Sequence, residues 1–172
     1  TARMIRIPIQ LQEQGYVRYT MRDEGELVFY RDIVLNDFEL TEVKDNVLFM
    51  QADAMNLKDI YSGYDLIILP ALLEELRDPK LFLSMIHNRI NDNGILVIAS
   101  DYEWDTNKTP RDKWPGGFKQ DGEPVTSLDG IRSVLESNFE IHGEPQDIIQ
   151  MKKKSSRLTE KRVLQVTVWK KK

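Results

Sequence analysis

The sequence predicts an α/β fold with a parallel sheet, and three segments between residues 46 and 100 support this prediction. Asp65–Leu69 and Ile95–Ala99 are short and mostly apolar runs, which are typical of parallel strands covered on both faces. Between them, Pro79–Ile90 repeats apolar residues at helical spacing. A strand, a helix and a second strand in this order predict a right-handed parallel crossover.

Residues at the ends of these elements agree with that order. Asp78 stands before Pro79, and this pair favours the start of a helix. Asn91–Gly94 supplies turn residues before the Ile95 strand. The run Val47–Met50 predicts an earlier buried strand of the same sheet.

A helix and two further strands are predicted after a long loop. Residues 101–126 form a connection that is too long for an ordinary loop and contains several aromatic residues, so we expect a functional loop. Ser127–Ser137 predicts a helix capped by Ser127. Phe139–Ile141 and Val163–Trp169 predict strands, and the alternation in the second suits an edge or antiparallel position.

The first 35 residues contain two patterns. Tyr16–Leu35 predicts a β-hairpin that turns near Gly25. In the opening residues a helical stripe is interrupted by Pro8, and a strict alternation of apolar side chains favours a strand instead. The alternating residues are Ile5, Ile7, Ile9 and Leu11.

Composition limits the classes of partner. A chain of 172 residues with 41% hydrophobic and 30% charged residues suits one globular domain. A net charge of -4 argues against nucleic acid as a partner. The absence of cysteine excludes disulfides and thiolate metal ligands, and with only two histidines, His87 and His142, we predict no metal site. No apolar run approaches the roughly 18 residues of a membrane span, so we expect no membrane partner and a cytoplasmic location.

Candidate ligand-binding residues follow the predicted strands, because ligands of open α/β sheets bind beyond the carboxyl ends of the strands. These residues form the segments 51–56, 70–73 and 101–104. Asp53 and Asp101 each suit either a ligand contact or the cap of a turn. The loop aromatics Trp104, Trp114 and Phe118 suit either a small satellite core or the wall of a substrate pocket, and Gly116-Gly117 favours the pocket.

Longer runs of residues resemble a known family. The segments 64–69, 76–79 and 90–98 resemble the second half of class I S-adenosylmethionine-dependent methyltransferases. The segments 2–5, 10–15, 18–19, 24–27, 101–104, 109–114, 116–119 and 121–125 resemble, more specifically, the methyltransferase domain of ovothiol-biosynthesis enzymes. That domain occurs behind a 5-histidylcysteine sulfoxide synthase or as a mercaptohistidine N-methyltransferase. The similarity covers nearly the whole chain and implies that the opening segment is a helix.

The resemblance implies a Rossmann-like class I methyltransferase fold, with residues 1–172 as a single partial domain. It also implies a hairpin insertion at about 16–35 and an acceptor-covering loop at about 101–126. We expect the first strands, the family's glycine-rich first turn and the acidic residue closing its second strand to lie before Thr1. The missing part of the cofactor site would then come from that upstream segment or from a second protomer.

The activity implied is methyl transfer from S-adenosylmethionine to an imidazole nitrogen of a thiohistidine. The catalytic residues implied are Asp101, as a base, and Tyr102. The cofactor-binding residues implied are Gln51, Asp53, Ala54, Met55, Leu69, Pro70 and Ala71. The residues implied to contact the acceptor are Trp104, Lys113, Trp114 and Lys119.

Two alternatives stay open at this point. Residues 148–153 differ from the Pro-Phe and Arg-Glu pairing usual in the family, so the acceptor could be another small molecule. The chain could also be a non-catalytic methyltransferase-like module that binds a partner enzyme.

Overall fold

The computed structural model describes residues 2–172 and has a mixed α/β fold. Its helices are α1 (Ala2–Gln14), α2 (Pro79–Met85) and α3 (Ser127–Leu135). Its strands are β1 (Tyr16–Arg22), β2 (Val28–Val34), β3 (Tyr64–Pro70), β4 (Ile90–Ser100), β5 (Phe118–Gln120), β6 (Glu123–Val125), β7 (Phe139–Ile141), β8 (Gln146–Lys153) and β9 (Thr159–Lys171). The chain divides into two compact units. One contains the chain up to Asp53 with Met151–Lys161, and the other contains Ala54–Gln150 with Arg162–Lys172.

A five-stranded mixed sheet, with the order β3-β4-β9-β7 and with β8 also paired to β9, organises most of the chain. Strands β3 and β4 are parallel, which confirms the predicted strand–helix–strand crossover. The last strand, β9, is antiparallel to both β4 and β7 and lies between them. Its alternating sequence therefore corresponds to an antiparallel position inside the sheet rather than to an edge.

The start of β4 differs from the prediction of a turn at Asn91–Gly94. Tyr64 pairs with Ile90 and Leu66 pairs with Ile95, so residues 91–94 form an irregular bulge within the paired strands. Asn93 has a positive φ of 64°, which is the left-handed conformation that a turn residue adopts. The turn chemistry is present, but it interrupts a strand instead of preceding one.

The prediction that β3 is covered on both faces is wrong. Leu69 is only 4% exposed, whereas Leu66 and Ile68 are 51% and 56% exposed. Strand β3 is the edge strand of the sheet, and no described element of this unit covers its second face. A continuous apolar run marks a strand, but it does not show what packs on each side of it.

The predicted strand Val47–Met50 is also wrong. These residues form no strand, and Leu48 is 76% exposed. Formation of a strand requires a neighbour that accepts and donates backbone hydrogen bonds. Here the side-chain amide of Gln12 donates to the carbonyl of Val47 at 2.7 Å, and the described strands pair elsewhere.

The opening segment is the helix α1, as the resemblance implied, and the strand favoured by alternation is wrong. Ile7 is 50% exposed because helical spacing turns it away from Ile5 and Ile9, which are half-buried. The hairpin prediction is confirmed, since β1 and β2 pair antiparallel from Tyr16↔Val34 to Arg22↔Val28.

The two other helices begin with side-chain caps. The Asp78 carboxylate accepts from the Leu81 amide at 3.0 Å, which confirms it as the cap of α2. Helix α2 ends at Met85 and continues as a 3-10 turn over Ile86–Arg89. Helix α3 is capped by Thr126, whose hydroxyl accepts from the Asp129 amide at 3.1 Å, so the prediction of Ser127 as the cap is wrong.

The core lies between the sheet and these two helices. Its most buried members include Leu83 at 1%, Ile131 at 0% and Trp169 at 1% exposure. The long loop over residues 101–126 contains a 3-10 turn and the small β5–β6 hairpin. No helix among residues 2–172 is long and apolar enough to cross a membrane.

Candidate functional site

Strands β3 and β4 end side by side, and the residues that follow them form the candidate site. Pro70 pairs with Ala99, and the Ala71 amide donates to the Ala99 carbonyl at 2.7 Å. Ala71 and Tyr102 have positive φ angles of 48° and 57°, a region that residues other than glycine rarely adopt. Such strain concentrates at functional sites. We call residues 70–74 and 100–102 the carboxyl edge.

Glu74 links the two strand ends. It lies in the 3-10 turn after β3 and is 5% exposed. Its Oε1 atom accepts hydrogen bonds from the Ser100 hydroxyl, from the Asp101 amide at 3.1 Å and from the Tyr102 amide at 3.2 Å. Its Oε2 atom is buried and has no hydrogen-bond partner among the described residues. One carboxylate oxygen therefore accepts three hydrogen bonds, and the other accepts none from the described residues.

Glu74 is not among the site residues predicted from the sequence. The sequence offers Glu74 and Glu75 next to each other, and only their surroundings distinguish them. Glu75 is an exposed partner of Lys108, with 2.5 Å between Oε1 and Nζ. The sequence signal for Glu74 is only its position five residues beyond the end of the predicted parallel strand Asp65–Leu69.

The phenol of Tyr102 stays protonated at ordinary pH. Burial, followed by the nearby charges of Glu74 and Asp147, raises the pKa of Tyr102 to about 12. Its hydroxyl donates to the Gln165 Oε1 atom at 3.0 Å. The predicted catalytic residue Tyr102 is therefore a neutral hydrogen-bond donor and not a base.

Asp101, the other predicted catalytic residue, lies at the carboxyl edge, with its side chain 10% exposed. Its Oδ1 atom accepts from the Glu103 amide at 3.2 Å, which is the turn cap that the sequence left as an alternative. Its Oδ2 atom forms an ion pair with Arg162 at 3.2 Å. Each carboxylate oxygen of Asp101 thus has a partner within the chain.

The two loop tryptophans pack on each other, and Trp104 also packs against the core. The ring centroids of Trp104 and Trp114 are 6.4 Å apart, and the rings are inclined by 26°. Their indole N–H groups donate to Ser127 Oγ and to the Thr109 carbonyl, each at 2.8 Å. A Cβ atom on Gly117 would lie 3.2 Å from Trp104, so this glycine makes room for the ring. These contacts match the satellite core that the sequence allowed as an alternative.

The two lysines predicted to bind the acceptor, Lys113 and Lys119, have no recorded contact with Glu74. Lys113 Nζ forms an ion pair with Asp78 at 3.0 Å, at the start of α2. Burial acts to raise the pKa of Asp78, but the Leu81 amide and the Lys113 ammonium outweigh it and hold that pKa below its ordinary value. Lys119 is exposed on β5.

The predicted cofactor-binding residues occupy three places. Leu69 and Pro70 end β3, and Ala71 follows it at the carboxyl edge. Ala54 and Met55 line a cavity of about 470 Å³ that those three residues do not line. Gln51 and Asp53 belong to the other unit, where Gln51 lines a cavity of about 550 Å³ beside α1.

The cavity lined by Ala54 and Met55 extends towards the amino ends of the strands. Its lining includes Arg89, which directly precedes β4, and Ser62, which lies two residues before the start of β3. The Arg89 guanidinium donates to the carbonyls of Leu57 at 2.9 Å and Lys58 at 2.8 Å and so holds one wall of the cavity. Among residues 2–172, no three His, Asp or Glu side chains are grouped closely enough to hold a metal ion.

Comparison with known proteins gives a relationship at the level of fold. No protein-family model matches the sequence, and no curated protein matches it. Seventeen chains of solved structures match. One is described as "Conversion of a Disulfide Bond into a Thioacetal Group during Echinomycin Biosynthesis", with a TM-score of 0.51 and 12% identity. The match covers 77% of this chain and 61% of that chain, so this chain spans about three fifths of its length.

Proposed function

We propose that the chain is part of an S-adenosylmethionine-dependent methyltransferase that acts on a small molecule. The observation that carries the proposal is the carboxyl edge, where two parallel strands end beside each other. Backbone strain at Ala71 and Tyr102 and the half-satisfied carboxylate of Glu74 lie at that edge. Ligands of open α/β sheets bind at this position.

The fold relationship gives modest further support. The related structure concerns the conversion of a disulfide into a thioacetal. That description names a covalent change at sulfur atoms in a biosynthetic pathway. At 12% identity this is an argument from fold, and the acceptor of the present chain is proposed separately.

The resemblance implies that Leu69, Pro70 and Ala71 would lie along one side of the cofactor. Leu69 and Pro70 end β3, and Ala71 follows them. When bound, S-adenosylmethionine supplies a methyl group on a positively charged sulfur. The acceptor lone pair forms the new bond to carbon, and the electron pair of the broken bond stays on sulfur. The main task of the protein is then to align the two reactants and exclude water.

For the acceptor we propose an imidazole of the thiohistidine type, because the residues of the 101–126 segment resemble those of ovothiol-biosynthesis enzymes. Tyr102 would contribute a neutral phenol beside the acceptor. Asp101, whose oxygens bind Arg162 and the Glu103 amide, would orient that side of the site. Methyl transfer to the unprotonated ring nitrogen leaves an imidazolium ion, which loses its remaining N–H proton to solvent to give the neutral product.

Two measurements on the full-length protein test this function. Calorimetric titration with S-adenosylhomocysteine is expected to give heat of binding, and mass spectrometry of a reaction offered a mixture of imidazoles is expected to detect one methylated product. No heat at high ligand concentration would contradict the proposal and favour the non-catalytic module. Binding with methylation of a compound other than an imidazole would retain the methyltransferase and replace the acceptor.

A further inference from the structure

We infer that the free oxygen of Glu74 binds an N–H group of the methyl acceptor at the carboxyl edge. The inference rests on the proposed function for the identity of the acceptor, an imidazole. The choice of Glu74 as the residue that binds the acceptor rests on the structure. The resemblance implies Asp101 and Tyr102 as catalytic residues and other residues of the 101–126 loop as acceptor contacts, so Glu74 is a new assignment.

The hydrogen bonds of Glu74 are strongly unequal. Three donors converge on Oε1, from Ser100, Asp101 and Tyr102. Oε2 has none, although the whole residue is only 5% exposed. A buried acceptor without a donor is costly, and an oxygen of this kind in a native protein requires a partner such as a ligand or a water molecule.

The neighbouring charged side chains also leave Glu74 outside the ion pairs found within residues 2–172. Glu75 pairs with Lys108, and Asp101 pairs with Arg162. The ion pairs found within residues 2–172 include these neighbouring carboxylates but not Glu74. A ligand that brings an N–H donor, with partial or full positive charge, would provide what the surrounding chain does not.

The position of Glu74 favours an organic ligand over a water molecule. Glu74 follows Ala71 by three residues and binds the amide of Tyr102, so it is anchored to both positions of backbone strain. Oε2 is buried, so entry of an acceptor requires the residues around Glu74, among them Asp101 and Tyr102 whose amides bind Oε1, to shift. We expect that shift to be visible at the amides of Asp101 and Tyr102.

This arrangement also suits the chemistry of an imidazole acceptor. One ring nitrogen must present its lone pair to the methyl group, and the other carries the proton. Donation of that N–H to Oε2 fixes which nitrogen is free to react. The ring gains positive charge as its free nitrogen takes the methyl group, and a carboxylate opposite the N–H stabilises that charge.

Glu74→Gln is the variant that isolates this role. The amide oxygen of glutamine can still accept from Ser100, Asp101 and Tyr102, while its NH₂ group replaces the acceptor Oε2 with a donor. Glu75→Gln is the matched control, because it makes the same change at the neighbouring exposed side chain. Near-ultraviolet circular dichroism establishes whether each variant is folded.

The experiment titrates the full-length protein with imidazole and with 1-methylimidazole at pH 9, where both rings are neutral and only imidazole carries an N–H. Amide shifts of Asp101 and Tyr102 in NMR spectra report binding. We expect wild type and Glu75→Gln to bind imidazole roughly tenfold more tightly than 1-methylimidazole, and Glu74→Gln to lose that preference.

Four results would overturn the inference: no binding of imidazole by wild type, equal binding of the two rings by wild type, an unchanged preference in Glu74→Gln, or methyl transfer unaffected by Glu74→Gln. The first two overturn it even if Glu74→Gln does not fold. Failure of the proposed function is distinguishable, because it is measured by heat with S-adenosylhomocysteine and by methylated product. Imidazole discrimination without methyl transfer retains Glu74 as the ligand contact, and methyl transfer unaffected by Glu74→Gln removes it.

Discussion

Replacement of Tyr102 by phenylalanine tests the electrostatics of the carboxyl edge. The folded protein holds the pKa of Tyr102 at about 12, from an ordinary value of 10.0. Below pH 10 the phenol is protonated in both the folded and the unfolded chain, and this contribution to stability is complete. As pH rises from 10 to 12 the unfolded chain ionises first, so the free energy of unfolding falls.

The size of this fall follows from the shift in pKa. Two pKa units correspond to about 2.7 kcal/mol for a fully buried group. Tyr102 is only partly buried, and discounting for solvent screening leaves roughly 1–2 kcal/mol. At pH 8 we expect Tyr102→Phe to lower the free energy of unfolding by about 1 kcal/mol, because the hydrogen bond to Gln165 is lost.

Urea unfolding of wild type and Tyr102→Phe at pH 8, 10 and 11.5 measures both effects. Tyr30→Phe is the control, since Tyr30 is 68% exposed. Wild type and the control should lose more stability than Tyr102→Phe as pH rises from 10 to 11.5. Parallel losses in all three proteins would refute the argument that burial and the charges of Glu74 and Asp147 keep this phenol neutral.

Two further predictions concern the supports of the site. Asp78→Ala should lower the free energy of unfolding by about 1 kcal/mol near neutral pH, through loss of the α2 cap and of the Lys113 ion pair. Because the pKa of Asp78 is held below 3.8, that difference should shrink as pH falls below 3.8, and a pH-independent difference in chemical denaturation would contradict it. Gly130→Ala should destabilise by about 3 kcal/mol, since the new Cβ would lie 1.7 Å from the Pro115 carbonyl oxygen. Exposed Ser133→Ala in the same helix is the control, and equal melting temperatures of the two variants would count against this packing.

Local patterns were sufficient for the elements whose neighbours are close in sequence. The β1–β2 hairpin and the Asp78 cap depend on contacts over short separations, and the β3–β4 pairing follows from the order strand, helix, strand; all three are confirmed. The Val47–Met50 run failed because apolar character creates a strand only where a pairing partner exists. The alternation of apolar residues predicted a strand for the opening segment, and only the resemblance predicted the helix α1.

The sequence predicted where in the fold the candidate site lies, but it did not predict all of the side chains that form it. The rule that ligands bind beyond parallel strands selected residues 70–73 and 101–104, and both segments lie at the carboxyl edge. It could not identify Glu74, because the burial of one glutamate in a Glu-Glu pair depends on packing between distant segments. It also could not assign the partners of Trp104 and Lys113, whose contacts are 23 and 35 residues away in sequence.

The bulge at residues 91–94 has a consequence for how length changes are absorbed along the sheet. It takes up four residues of β4 between the Tyr64↔Ile90 and Leu66↔Ile95 pairs, after which the pairing runs without interruption to Pro70↔Ala99. All the irregularity of the β3–β4 pair therefore lies at the amino end, where Asn91 binds the Gly63 carbonyl at 3.0 Å. The carboxyl ends of the two strands keep a fixed register. This register brings Glu74, which follows β3, to its three donors at the end of β4. Added or lost residues can be accommodated at one end of this strand pair, while at the other a shift of one residue would separate Glu74 from all three of its donors.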